Sequence, residues 1–194
     1  IGVNNPGVKI GENYTDFGQG SFRVTGNTYD LALSGDGFFA VEYTNSAGET
    51  DTKYTRSGSF TLDVEGYLVT KDGHKVLSTS SQPIQLDTLA DAHIDELGNI
   101  TQNGNVVAQI QVTDFEDYDY LMKYGDTFYQ PKEGAKMIEG SAKINSGYLE
   151  MSNVNVVTEM VNMIAITRAY ESNQKILQTY DGSLEIATTQ LGRL

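Results

Sequence analysis

No proline follows Pro131, and nothing between residues 156 and 190 forces a helix to break. A helix over those 35 residues would run for about 52 Å at about 1.5 Å per residue, several times the usual helix of a globular domain. Asn155 can cap it with its side-chain oxygen, and Glu159 lies at the positive end of the helix dipole. Met163, Tyr170, Leu177, Leu184 and Leu191 recur at intervals of seven. Such a row drifts slowly around a helix and asks for a second helix alongside. Met160 and Ile164 widen the row at its start, and Ile166, Ile176, Tyr180 and Ala187 flank it. The positions four residues after each member are polar, being Thr167, Gln174, Asp181 and Thr188. Gly182 costs roughly 1 kcal/mol relative to alanine, so the helix depends on packing for its stability. Two packings fit this pattern: return onto a sheet as a core helix, or extended association with a partner helix. The length favours association.

Residues 1 to 150 read differently. Short β-branched and aromatic runs are punctuated by Gly, Asn and Asp at the spacing of hairpin-rich sheets. Examples are Asp30–Leu33, Phe38–Tyr43, Lys53–Arg56 and Ser59–Leu62, with a turn expected at Asn45–Gly48. Pro6 and Pro131 fall in expected loops, and Pro83 can start a strand. Asp72-Gly73 and Asn103-Gly104 each sit between two apolar runs, which predicts two type I′ hairpins. The sequence therefore predicts a mainly β fold with one long C-terminal α-helix. Residues 1–150 form a small β-rich domain of hairpins, and residues 151–194 an extended association helix.

Composition narrows the function. The chain has 194 residues, 26 acidic and 13 basic, for a net charge of −13. That sign repels phosphate backbones and anionic headgroups, which argues against nucleic-acid and membrane-surface partners. No run approaches the roughly 18 apolar residues of a membrane span, and no start resembles a signal peptide. With no cysteine there is no disulfide, thiolate metal site or cysteine nucleophile. The first residue is Ile1, not Met, which suggests a processed or shortened chain.

No phosphate loop, serine elbow or zinc helix motif is present. His74 falls at an expected turn; His93 lies near Asp91 and Asp95 without a third ligand at suitable spacing. Carboxylates are many, but no pair is singled out as an acid and nucleophile. Glu116, Asp117 and Asp119, interleaved with Phe115, Tyr118 and Tyr120, make the densest acidic and aromatic stretch. It reads either as a sugar- or cation-binding surface or as a polar loop with aromatic anchors, the latter favoured because the calcium-loop order is missing. No catalytic, cofactor or metal residue is assigned.

Three ordered blocks carry a resemblance. The first is Gln19-Gly20-Ser21, Thr25-Gly26-Asn27 and Asp30 to Val41, including Gly35, Gly37, Phe38 and Phe39. The second is Tyr54-Thr55-Arg56-Ser57-Gly58-Ser59-Phe60, continued by Asp63, Gly66, Leu68–Thr70 and Gly73. The third runs from Gly147-Tyr148-Leu149-Glu150-Met151-Ser152-Asn153 to Arg168-Ala169-Tyr170-Glu171. Together they resemble the bacterial flagellar rod and hook proteins over nearly the whole chain. The resemblance implies a structural subunit rather than an enzyme. It implies a β-rich outer domain, terminal helices paired as an inner coiled-coil layer, and polymerisation into a helical tube that transmits torque. The implied partners are the chain itself, other rod and hook subunits, and ring proteins as further candidates. The implied location is the basal body, reached by type III export without a cleaved signal peptide. The family's N-terminal helix and its Asn-rich motif are not found here. The compact middle favours rod over hook, with the distal rod ahead of the proximal rod. The rival reading is a secreted β-rich carbohydrate-binding or hydrolytic module, and a phage-tail or adhesin fibre subunit is a third.

Overall fold

The computed structural model describes residues 15–45 and 48–191. Two compact units divide the chain at Met151/Ser152. Among its described residues the first holds sixteen strands: β1 (Phe22–Val24), β2 (Leu31–Ser34), β3 (Phe38–Thr44), β4 (Thr50–Thr55), β5 (Phe60–Leu62), β6 (Leu68–Thr70), β7 (Lys75–Val76) and β8 (Ala92–Ile94). They continue with β9 (Asn99–Gln102), β10 (Asn105–Gln109), β11 (Val112–Phe115), β12 (Leu121–Tyr124), β13 (Phe128–Pro131), β14 (Met137–Glu139), β15 (Lys143–Ser146) and β16 (Tyr148–Glu150). The second unit holds one helix, α1 (Val156–Leu191).

Strand β3 is the trunk of the nine-stranded main sheet. One edge pairs with β4 from Phe39↔Thr55 to Thr44↔Thr50. The other edge is shared: β11 takes Phe38 and Phe39, and β7 takes Val41 and Glu42. The run Phe-Phe-Ala-Val is fully buried because the sheet carries a core on each side. Phe39 and Val41 join Leu31, Leu33, Phe60, Leu68, Val76, Ile100 and Ile144 on one face. Phe38 and Ala40 join Tyr54, Leu77, Phe115 and Leu121 on the other. Period-two alternation thus sends neighbouring residues of one strand into two separate cores.

A second sheet has the order β10-β9-β8, β2 pairs with β15, and β1 pairs with β16. The β1–β16 ribbon joins the first and the last strand of the described residues of this unit, with Phe22↔Glu150, Arg23↔Leu149 and Val24↔Tyr148 in register.

Turn chemistry explains the hairpins. At Asp63–Tyr67, Thr70–His74 and Asp95–Asn99 the first N–H donates to the last carbonyl, and the glycine N–H donates back to the first carbonyl. The first side chain also accepts from the last N–H, through Asp63 Oδ1, Thr70 Oγ1 and Asp95 Oδ1. Only the glycine, as Gly66, Gly73 or Gly98, has positive φ. These are three-residue loops with a bulged glycine. Asp72-Gly73 is therefore not the type I′ turn expected from the dipeptide, since Asp72 keeps a negative φ and the acceptor at Thr70 sets a longer loop. Asn103-Gly104 does form the type I′ turn, with φ of 52° and 80°. The expected turn at 45–48 contains Ser46 and Ala47, which lie outside the described residues, as does Pro6. Pro131 was expected in a loop, yet it ends β13 opposite Leu121. It is tolerated there because β4 pairs only with Phe128 and Tyr129, so no second ladder needs the missing N–H.

In the second unit Asn155 caps the helix as expected, its Oδ1 accepting from Val157 N at 3.0 Å and Thr158 N at 3.2 Å. The helix is 36 residues long and passes through Gly182. Among the described residues, no helix is long and apolar enough to cross a membrane.

His74 gives a pH test. Its ring lies 4.3 Å from Tyr43 and 5.4 Å from Phe128. Burial pushes its pKa below the ordinary value, against a smaller opposing pull from Asp72. The native state therefore binds fewer protons than the unfolded chain just below pH 6.5. Its contribution is full above that pH and falls as pH drops through the unfolded value toward the folded one. The Tm difference between wild type and His74→Gln should shrink as pH is lowered from 7 to 5. A difference that stays constant over that range would refute this account.

Candidate functional site

The three blocks of the resemblance meet at one side chain. Arg56 follows β4 and projects between the Ser34–Phe38 turn and β16. Its Nε donates to Glu150 Oε2 and its Nη2 to Glu150 Oε1, both at 3.2 Å. Its Nη1 donates to the carbonyls of Gly35 and Gly37, both at 2.9 Å. Four of the five guanidinium N–H vectors are thereby used. Glu150 Oε1 also accepts from Gly20 N at 2.9 Å. The Arg56 and Glu150 side chains are 20% and 11% exposed, so a forked, largely desolvated ion pair holds together residues 20, 35, 37, 56 and 150.

Neighbouring bonds complete the clasp. Gln19 donates through Nε2 to the Leu33 carbonyl and accepts through Oε1 from Gly35 N at 3.0 Å. Gly147 N donates to Asp30 O, and Met151 N to Ser21 O, each at 2.8 Å. The short β1–β16 ribbon, weak by itself, is fixed to the domain from both sides.

The other signature residues support this point. Gly58 lets two backbones touch: Leu31 N donates to Gly58 O at 2.9 Å, and an added Cβ would fall on the Leu31 carbonyl. Phe60 packs edge-on against Phe39 at 5.2 Å, and Tyr54 against Phe115 at 5.0 Å. Phe38 meets Phe17, Tyr118 and Tyr129 at 5.5–6.0 Å. Gly35 and Gly37 have positive φ, which turns their carbonyls toward Arg56. Gly35, Gly37, Phe38, Phe39, Tyr54, Arg56, Gly58 and Phe60 are thus one connected framework around β3 and the clasp.

The residues weighed for chemistry are held in structural roles. Phe115 is buried, and Tyr118 packs beside it with its hydroxyl 2.8 Å from Asp114 Oδ1. Burial and that carboxylate push the Tyr118 pKa well above the ordinary phenol range. Asp117 caps the 3₁₀ turn Tyr118–Tyr120 by accepting from Asp119 N. The acidic and aromatic stretch thus ends β11 and continues into a 3₁₀ turn anchored by Phe115 and Tyr118. Asp95 is a turn residue whose hydrogen bonds with Asn99 hold its pKa below the usual carboxylate value. Among the described residues no group of three or more His, Asp or Glu is placed to hold a metal ion.

On α1, Met163, Tyr170, Leu177 and Leu184 are each 62–68% exposed. Leu191 ends the helix, and its side chain lies outside the described ones. The polar positions four residues on are less disruptive than their chemistry suggests. Thr167 and Thr188 hydroxyls donate to the carbonyls of Met163 and Leu184, at 2.8 and 3.0 Å, so their polarity is satisfied within the helix. The residues three positions on complete the row: Ile166, Asn173, Tyr180 and Ala187. With them the spacing alternates three and four, the seam of a coiled coil.

Comparison with known proteins agrees with this arrangement. Residues 32–108 match the family "Flagellar hook protein FlgE/F/G D1 domain", and residues 145–191 match "Flagellar basal body rod FlgEFG protein C-terminal". The flagellar basal-body rod protein FlgF of Mesorhizobium japonicum is 32% identical over 187 residues, covering 94% of this chain and 75% of that protein. The chain belongs to the flagellar basal-body rod protein family. FlgG of Bacillus subtilis is 35% identical, covering 84% of this chain and 65% of the relative, and FlgF of Caulobacter vibrioides is 36% identical, covering 92% and 71%. FlgF and FlgG relatives thus match at similar identity, and the chain spans about two thirds to three quarters of their length. The clasp lies in neither matched segment alone: Arg56 is in the first and Glu150 in the second, so one ion pair ties the two family segments together.

Replacing Arg56 by Ala leaves a largely buried carboxylate without its cation and should destabilise the β unit by about 3 kcal/mol. Arg56→Lys should recover less than half of that, because an ammonium cannot reproduce the fork. Urea unfolding measures both; a loss below about 0.5 kcal/mol, typical of an exposed pair, would refute the assignment. Gly58→Ala should cost about 3 kcal/mol or more by forcing the Leu31 backbone aside, readable in the same assay.

Proposed function

We propose that this chain is a structural, non-catalytic subunit of the flagellar basal-body rod, which polymerises into a helical tube and carries torque. The observation that supports it best is the pairing of a braced β unit with a 36-residue helix whose apolar row is open to solvent. Residues 1–150 act as the outer domain, and residues 151–194 as one strand of an inner coiled-coil layer. Met163, Tyr170, Leu177, Leu184 and Leu191 are the assembly residues. Partners are further copies and other axial subunits of rod and hook. The location is the basal body, with export that leaves the chain unprocessed by signal peptidase.

Each buried leucine contributes roughly 2 kcal/mol of transfer free energy, so a helix of this row is held mainly by its neighbours. Non-closing, head-to-tail contacts then extend the polymer, and many repeated contacts give a shaft its resistance to bending and twist.

The test is complementation of a non-motile deletion strain that lacks its own copy, using the whole subunit with Leu177, Leu184 and Leu191 changed to Ala. The variant should enter no basal bodies and restore no swimming, while the β unit keeps its circular dichroism and its urea midpoint. Normal rods built from the triple variant would overturn the assembly role of this row. A glycan array showing saturable binding by the wild-type chain would favour the carbohydrate-binding alternative.

A further inference from the structure

Charge is unevenly spread over the β unit. Up to Met151 the chain carries 22 acidic against 10 basic residues. Yet residues 97–113 hold no charge, and neither do residues 76–86, the two longest uncharged runs of that unit. The fold brings them together. Thr79 N donates to Gln109 O at 3.0 Å, and Ser78 bridges Ile110. Strand β10 and the exposed loop Thr79–Gln82 thus form one neutral surface on an otherwise acidic unit.

That surface has an open edge. β10 is the outer strand of its sheet, and Val106 and Val107 are 64% and 48% exposed. Exposed edges are normally guarded by Lys, Pro or inward charges. β10 has none of these; a bulge shifts its register between Val106 and Ala108, and the Thr79 loop covers the edge only at its Gln109 end, which leaves Asn105–Ala108 open.

We propose that this neutral edge, β10 with the Thr79–Gln82 loop, is a lateral contact between the β units of neighbouring copies of this chain. Like charge decides the occupant. Two acidic units repel wherever their charged surfaces face each other, and they approach at least cost where one of them presents no charge. An anionic polymer or lipid surface gains nothing from a patch without cations. A second copy fits the same edge through main-chain hydrogen bonds and the two valines, in the manner of strand addition. The inference rests on the rod reading and extends it, since it adds a contact outside α1.

The chain has no cysteine, so one introduced thiol is a unique probe. The experiment uses the whole subunit carrying V107C, expressed in the deletion strain that lacks its own copy, with V64C as reference because Val64 is fully exposed in the β5–β6 turn. Maleimide labelling is measured on the free subunit and on purified basal bodies. Relative to V64C, the V107C thiol should lose on the order of tenfold in labelling rate upon assembly, as a residue buried in an interface does. V107D should lower incorporation into basal bodies by about tenfold or more, because it buries an unpaired charge, with an unchanged urea midpoint. Equal labelling of V107C in free and assembled subunits overturns the contact while leaving the rod reading intact, and so does normal incorporation of V107D. Absence of the wild-type subunit from basal bodies overturns both.

Discussion

The first four residues of β3, Phe38–Val41, have water on neither face, and most of the β unit follows from that. A strand buried on both sides must have partners along both edges, or its backbone groups would be left without hydrogen bonds in a dry environment. β4 covers one edge, and β7 and β11 divide the other. The two cores lie on the two faces of the sheet, and β11 contributes to both, with Val112 on one face and Phe115 on the other. The turn before β3 must also be tight, because β2 lies on the other side of Gly35–Gly37. Two glycines make that turn, and their outward carbonyls are what Arg56 binds. One apolar run of four residues therefore dictates the sheet order, the two cores and the position of the clasp.

Much of this was legible in the sequence because it is local. The helix, its Asn155 cap and the Asn103-Gly104 turn depend on residues within a few positions of each other. The hairpin loops were legible in part. Reading Asp-Gly as a dipeptide missed that Asp63, Thr70 and Asp95 stand three residues before a glycine, and that spacing decides the loop. On the helix, the positions four residues after each heptad member are polar, and the flanking residues already seen in the sequence, Ile166, Tyr180 and Ala187, stand three residues on, with Asn173 as the polar exception. The clasp was the least legible part, since Arg56 and Glu150 are 94 residues apart. Both residues were quoted within family blocks, but nothing in either block says that one is the counter-ion of the other. Pro131 shows the same limit: whether a proline breaks a strand depends on which ladder its nitrogen would have joined.

The two units divide the electrostatic burden. The helical unit has 4 acidic and 3 basic residues, so helices can crowd without strong repulsion, while the β unit carries nearly all of the net charge. Added salt should therefore matter more for contacts between β units than for contacts between helices, because screening acts on exposed like charges.

The β1–β16 ribbon and the Arg56–Glu150 pair place residues 20–24 beside residues 148–150, although Gly20 and Glu150 are 130 residues apart. Everything between is therefore spliced into the chain like a cassette between fixed terminals. A hairpin lengthened or a loop enlarged within it changes the cassette without moving the points at which it is attached. Such a layout lets the chain between the two attachment points vary in size while the clasp stays in place.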